Sequence, residues 1–134
     1  MKKIALFILL IISSLAVAQK KTSVKESNEK TEKYTLYKTH AHASYYNDKF
    51  NGKRTASGRR FNNSKFTAAH KKFPFGTKLK ITNEKNNKSV IVEVIDRGPY
   101  SKRREIDLTK KAFMKIASNK GSGSLKVKIE VLKN

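Results

Sequence analysis

Asp96 is the side chain in this 134-residue chain whose setting most invites proton chemistry. It ends the run Val90-Ile91-Val92-Glu93-Val94-Ile95 and is followed at once by Arg97 and Gly98-Pro99. Val and Ile favour a buried strand and Gly-Pro stops it, so the carboxylate stands where apolar walls meet solvent. Such a position suits a group that must give and take a proton. The competing reading is structural, because Asp commonly caps the kind of turn that Arg97-Gly98-Pro99 makes. His40 and His42 lie two apart, on one face of a strand, a spacing two metal ligands could use. No third ligand is evident, and neither a metal nor a cofactor is expected. The chain has no cysteine, which excludes thiol catalysis, thiolate metal sites and a lipid-modified N-terminal cysteine.

The elements that must position Asp96 occupy only part of the chain. Residues 1–18 read as a secretory leader: Lys2 and Lys3, the apolar run Ile4 to Ile12, then Ala16-Val17-Ala18, with cleavage before Gln19. The apolar run is short for a membrane span, so no transmembrane anchor is expected. Residues 19–36 read as a disordered basic linker, too polar to offset the entropy of ordering. Residues 37–134 form one domain, stabilised by a packed core instead of disulfides. Its pieces are mostly extended: His40 to Tyr46, Phe66 to Ala69, Thr77 to Thr82, Ser89 to Ile95 and Leu125 to Leu132. Asn47 to Gly58 is rich in turn residues, Phe73-Pro74-Phe75-Gly76 is a tight turn, and Asn83 to Lys88 is a polar hairpin loop. Thr109 or Asp107 caps a helix over Lys110 to Ser118, whose Ala112, Phe113, Ile116 and Ala117 keep a helical period. Many short strands with one helix predict a mainly β fold, a small closed barrel.

An ordered series of blocks goes further. Ala43-Ser44-Tyr45-Tyr46, then Phe50-Asn51-Gly52-Lys53-Arg54-Thr55-Ala56-Ser57-Gly58, then Phe66-Thr67-Ala68-Ala69-His70-Lys71 resemble blocks of the rare lipoprotein A (RlpA) family. Phe75-Gly76-Thr77, Val94-Ile95-Asp96-Arg97-Gly98-Pro99-Tyr100 and Ile106-Asp107-Leu108 continue the match in the same order, over about Thr39 to Leu132. The resemblance implies a six-stranded double-psi β-barrel related to expansins. It implies endolytic lytic transglycosylation of peptidoglycan, cleaving between N-acetylmuramic acid and N-acetylglucosamine in peptide-poor strands and leaving a 1,6-anhydro sugar.

The same resemblance places Asp96 on the family's catalytic Asp, as general acid and then base, and His70 on a His that assists it. One carboxyl can serve both steps because no water has to be activated, whereas hydrolases normally need two. His70 is equally explained as a buried His satisfied by backbone. Tyr45 and Tyr46 offer rings on which a sugar face stacks, or one of them fills the core. Thr55 and Ser57 line the same groove or simply form a turn, and Arg59 and Arg97 complete the substrate-binding set. Arg59 departs from the family, which carries Glu directly after the Gly that is Gly58 here. That departure supports an alternative, a non-catalytic, expansin-like module that binds wall glycan. Asp107 also matches a family position, although helix capping explains it.

The formal charge is +21, and +19 without the leader's two lysines. In an exported chain the abundant polyanions belong to the cell envelope, so anionic wall polymers and peptidoglycan strands are the expected partners of a monomer. Lys102-Arg103-Arg104 reads as a solvated loop that adds to that attraction. A charge-driven adhesin or nucleic-acid binder fits the series of blocks least, and no specific nucleic-acid partner is expected. The expected location is the periplasm or outside the cell.

Overall fold

The computed structural model describes residues 33–133; the leader and the linker up to residue 32 lie outside them. Strands form where the sequence alternates or is rich in β-branched residues. They are β1 (Lys33–Tyr45), β2 (Thr67–His70), β3 (Lys78–Asn83), β4 (Ser89–Asp96), β5 (Ile106–Leu108) and β6 (Leu125–Lys133). One helix, α1 (Lys110–Ile116), follows β5, and a short 3-10 turn spans Asp48–Phe50. The strands close into a barrel in the order β1-β5-β2-β4-β3-β6. β1 with β5 and β2 with β4 are parallel, while the other pairs, including β6 onto β1, are antiparallel.

The first strand starts earlier than the linker reading allowed. Lys33, Tyr34, Thr35 and Leu36 pair with Lys133, Leu132, Val131 and Glu130 of β6. Their side chains are largely exposed, so no apolar period marked them; the backbone partner on β6 makes the strand. Two register shifts, at Leu36/Lys38 and Lys38/Ala41, bend β1, and His40 lies within the second at φ 52. Bulges of this kind increase the twist that closure of a small barrel requires.

Period-two alternation fills the interior. Leu79 and Ile81 of β3, Val92 and Val94 of β4, and Val127 and Ile129 of β6 are all buried. The buried face of α1, Ala112, Phe113 and Ile116, joins the same cluster. Thr109, not Asp107, caps this helix, its hydroxyl accepting from the Ala112 N–H at 3.4 Å. The helix stops at Ile116 rather than Ser118, and Asp107 stays in β5. Among the described residues no helix is long and apolar enough to cross a membrane.

Candidate active site

The order of the barrel brings two carboxylates to one place. β2 lies between β4 and β5, and its Ala69 is paired with Asp96 on one side and Asp107 on the other. Strands sit about 4.8 Å apart, so the two aspartate Cα atoms stand roughly 10 Å from each other across β2. Both line a cleft of about 610 Å³ whose walls include Tyr45, Tyr46, Arg54, Arg97, Tyr100 and Arg104.

Asp96 is half-buried and fully hydrogen-bonded on one oxygen. Its Oδ1 accepts the backbone N–H groups of Ala56 and Arg97, each at 2.9 Å. Its Oδ2 accepts only the Tyr46 hydroxyl, at 2.6 Å. A carboxylate oxygen has two lone pairs, so Oδ2 is the atom with capacity left for a ligand in the cleft. Burial first, and then the hydrogen bond and negative charge of Asp96, push the Tyr46 phenol up, so it stays a donor. The Tyr46 ring is braced by Phe61 and Phe50, at centroid distances of 4.4 Å and 5.7 Å.

The other predicted residues divide into three groups. Tyr45 lines the cleft, with its ring 4.7 Å from Phe113. Arg97 also lines it, but its guanidinium donates to the Phe73 carbonyl at 2.8 Å and lies 3.9 Å over the Phe75 ring. Thr55 and Ser57 form a turn instead of a wall. The Thr55 hydroxyl donates to the Arg59 carbonyl at 2.6 Å and meets the Ser57 hydroxyl at 2.9 Å. The Ser57 N–H bonds to the Ile95 carbonyl at 3.1 Å, and together these contacts aim the Ala56 N–H at Asp96. The turn reading of Thr55 and Ser57 therefore describes them, and their service to the site goes through the backbone.

His70 and Arg59 do not reach Asp96. His70 is wholly buried; its Nδ1 accepts the Lys72 N–H at 3.1 Å and its Nε2 lies 2.9 Å from Glu105 Oε1. With Nδ1 accepting, Nε2 carries the hydrogen and donates to Glu105, which makes the ring neutral. Burial holds the imidazole below its usual range, against the opposing pull of Glu105. Burial alone would raise the Glu105 carboxyl, yet the hydrogen bonds from His70 and Lys38 together outweigh it and hold the group low. Arg59 pairs with Glu93 of β4 and lies in a separate cleft with Arg60, Thr67 and Ile95. Alternation along β4 puts Glu93 and Ile95 on the face away from the Asp96 site.

Several participants carried no signal in side-chain pattern. The Ala56 N–H is a backbone group, visible only through the turn chemistry of Thr55-Ala56-Ser57-Gly58. Asp107 was readable as a polar residue inside an apolar triplet. It is nearly buried, accepts the Ser44 hydroxyl at 2.5 Å, and has Arg104 Nε at 3.6 Å. Among the described residues no three His, Asp or Glu side chains cluster as a metal site; His40 bonds Glu84 Oε2 at 2.7 Å.

The arrangement offers one carboxylate oxygen with spare capacity beside an open cleft, a group able to exchange a proton with a ligand there. Asp107 is tied to Ser44 and Arg104, so it is poorly placed to activate a water as a hydrolase base would.

The chain matches the lytic transglycolase family over residues 38–129. It is 51% identical over 96 residues to an endolytic peptidoglycan transglycosylase RlpA of Rickettsia felis, covering 69% of this chain and 42% of that protein. It is also 51% identical over 75 residues to a probable endolytic peptidoglycan transglycosylase RlpA of Aquifex aeolicus, covering 56% of this chain and 33% of the relative. The chain thus spans less than half the length of these curated relatives. Among solved structures, a Clavibacter michiganensis expansin in complex with cellohexaose superposes with TM-score 0.56 at 18% identity, over 71% of this chain and 50% of that one. A Streptomyces papain inhibitor superposes with TM-score 0.57 at 21% identity, over 76% of this chain and 100% of that one.

Proposed function

Because the chain belongs to the RlpA-like lytic transglycolase family of double-psi β-barrels, we propose that it is an endolytic transglycosylase of peptidoglycan. The substrate is the glycan backbone, cut between N-acetylmuramic acid and N-acetylglucosamine in peptide-poor stretches. Asp96 Oδ2 gives its proton to the glycosidic oxygen as the bond from C1 breaks. The muramyl C6 hydroxyl then attacks C1, and its proton returns to Asp96, leaving a 1,6-anhydro end and consuming no water. Tyr46, the Ala56 N–H and the Arg97 N–H hold the carboxyl in place, and Tyr45 and Arg97 border the sugar. Export under residues 1–18 and action in the cell envelope as a monomer, without a cofactor, complete the proposal.

One observation carries this reading: the oxygen of Asp96 with spare capacity belongs to a residue lining a cleft large enough for sugar rings. The test is product chemistry. Purified protein is incubated with peptide-free glycan, and fragments are weighed by mass spectrometry. Anhydro-ended fragments are expected from wild type, and Asp96→Asn should lower their rate by about 10²- to 10⁴-fold. Wild-type protein that yields no anhydro ends would overturn the assignment.

Arg59 favours a second reading, a glycan-binding module without turnover. Such a module co-sediments with purified wall, keeps doing so as Asp96→Asn, and yields no fragments at all.

A further inference from the structure

A second, larger cleft of about 760 Å³ opens beside the first, between β1 and the loop before β5. Its walls include Lys38, His42, Lys102, Arg103, Arg104 and Glu105. Arg104 lines both clefts, so a chain-like ligand long enough to occupy both would pass it. The charge here is unbalanced. Glu105 is spent on His70 and on Lys38, whose ammonium lies 3.1 Å from Glu105 Oε2. Lys102 and Arg103 are exposed, and among the described residues no acidic group pairs with either. The loop that carries them is nevertheless tied down: Glu105 N–H bonds the His42 carbonyl at 2.8 Å, and Lys71 Nζ donates to the Ser101 carbonyl at 3.1 Å.

Unpaired cations on an anchored loop are arranged for an anion that arrives with the substrate. The backbone of peptidoglycan glycan bears one kind of acidic group, the lactyl carboxyl of muramic acid, which is free only where no peptide is joined to it. We propose that Lys102 and Arg103, continued by Arg104, form a subsite for this carboxylate on the strand whose neighbouring sugars occupy the Asp96 cleft. The idea rests on the glycan reading of the Asp96 site and adds what that reading lacks, a reason to prefer one state of the strand. Capping the carboxyl as an amide removes the charge and leaves the sugars intact.

The test uses peptide-free strands, the same strands with carboxyls amidated by carbodiimide, and uncharged N-acetylglucosamine oligomers. Binding is measured at an ionic strength of about 0.15 M, where only charges within roughly 8 Å still act strongly. Wild-type protein should bind free-carboxyl strands about tenfold more tightly than amidated ones, the scale of one charge-assisted contact. The double variant Lys102→Ala/Arg103→Ala should bind both alike, while Lys111→Ala/Lys115→Ala, equal in charge but on α1 over Phe66 and lining neither cleft, should keep the preference. Equal wild-type binding to both strands, or equal loss in the two double variants, overturns the subsite and leaves the glycan reading standing. Failure to bind any of the three sugars, charged or not, overturns the glycan reading itself.

Discussion

Asp96 depends on a small set of donors, and the Tyr46 hydroxyl is the one a substitution can remove cleanly. Tyr46→Phe deletes the bond to Oδ2 while keeping the ring on Phe61 and Phe50. The fold should hold, with a change in stability near 1 kcal/mol, and anhydro-product formation should fall about tenfold. The matching measurements are a melting curve and a timed digest. If turnover were untouched, Tyr46 would be a packing residue only. Position 59 gives the complementary result. Arg59 is half exposed and bonded to Glu93, so Arg59→Glu removes a surface pair of little energetic weight and sets two carboxylates face to face. Turnover should stay within about twofold of wild type, because the side chain does not reach the cleft. A clear gain in cleavage would instead show that a carboxylate at 59 enters the site.

At the scale of elements, the barrel was largely readable and the site only partly so. β3, β4, β6 and the helix announced themselves because alternation or a 3.6 period tracks burial directly. The first four residues of β1 did not, since their order comes from pairing with β6 rather than from apolar side chains. The site followed the same division. Asp96 and Tyr46 were visible as residues at strand ends, whereas the Ala56 N–H is a backbone group and the His70–Glu105 pair spans thirty-five positions with no local signature. The loop between β1 and β2 is where this matters. Nearly buried Asn63 donates to the Tyr46 carbonyl at 3.1 Å and to Asp48 Oδ1 at 2.8 Å, and accepts the Lys110 N–H at 2.7 Å. It thereby joins the end of β1, which Tyr46 directly follows, to the first turn of α1. Asn63→Ala should cost about 1–2 kcal/mol, because a buried amide and its hydrogen bonds to three chain segments are lost. It should also reduce turnover per folded molecule by loosening Tyr46. A destabilised variant with unchanged turnover would separate the loop from the site.

For the molecule as a whole, acid is the revealing variable, because the His70–Glu105–Lys38 chain ties β2 and β1 to the segment entering β5. His70 is held below the 6.5 usual for imidazole, chiefly by burial, so the unfolded chain takes up that proton more readily than the folded one. Stability is therefore complete above about pH 6.5 and declines as pH falls from there. Glu105 is held below its usual 4.5, so it too favours the fold above that value and withdraws its share as pH drops through it. Both effects have the same sign and act in sequence. A strongly cationic surface also loses stability in acid as carboxylates are neutralised, so the slope of wild type alone decides nothing. The difference between wild type and His70→Gln isolates the imidazole: urea midpoints should converge as pH falls from 7.5 towards 5, because only wild type carries the histidine penalty. Parallel curves would mean that His70 does not titrate between the folded and unfolded states as its burial requires. Activity adds a check that a structural role alone satisfies. With His70 walled off from Asp96, turnover per folded molecule of His70→Gln should keep the wild-type pH profile, and a lost limb in that profile would return His70 to the proton chemistry.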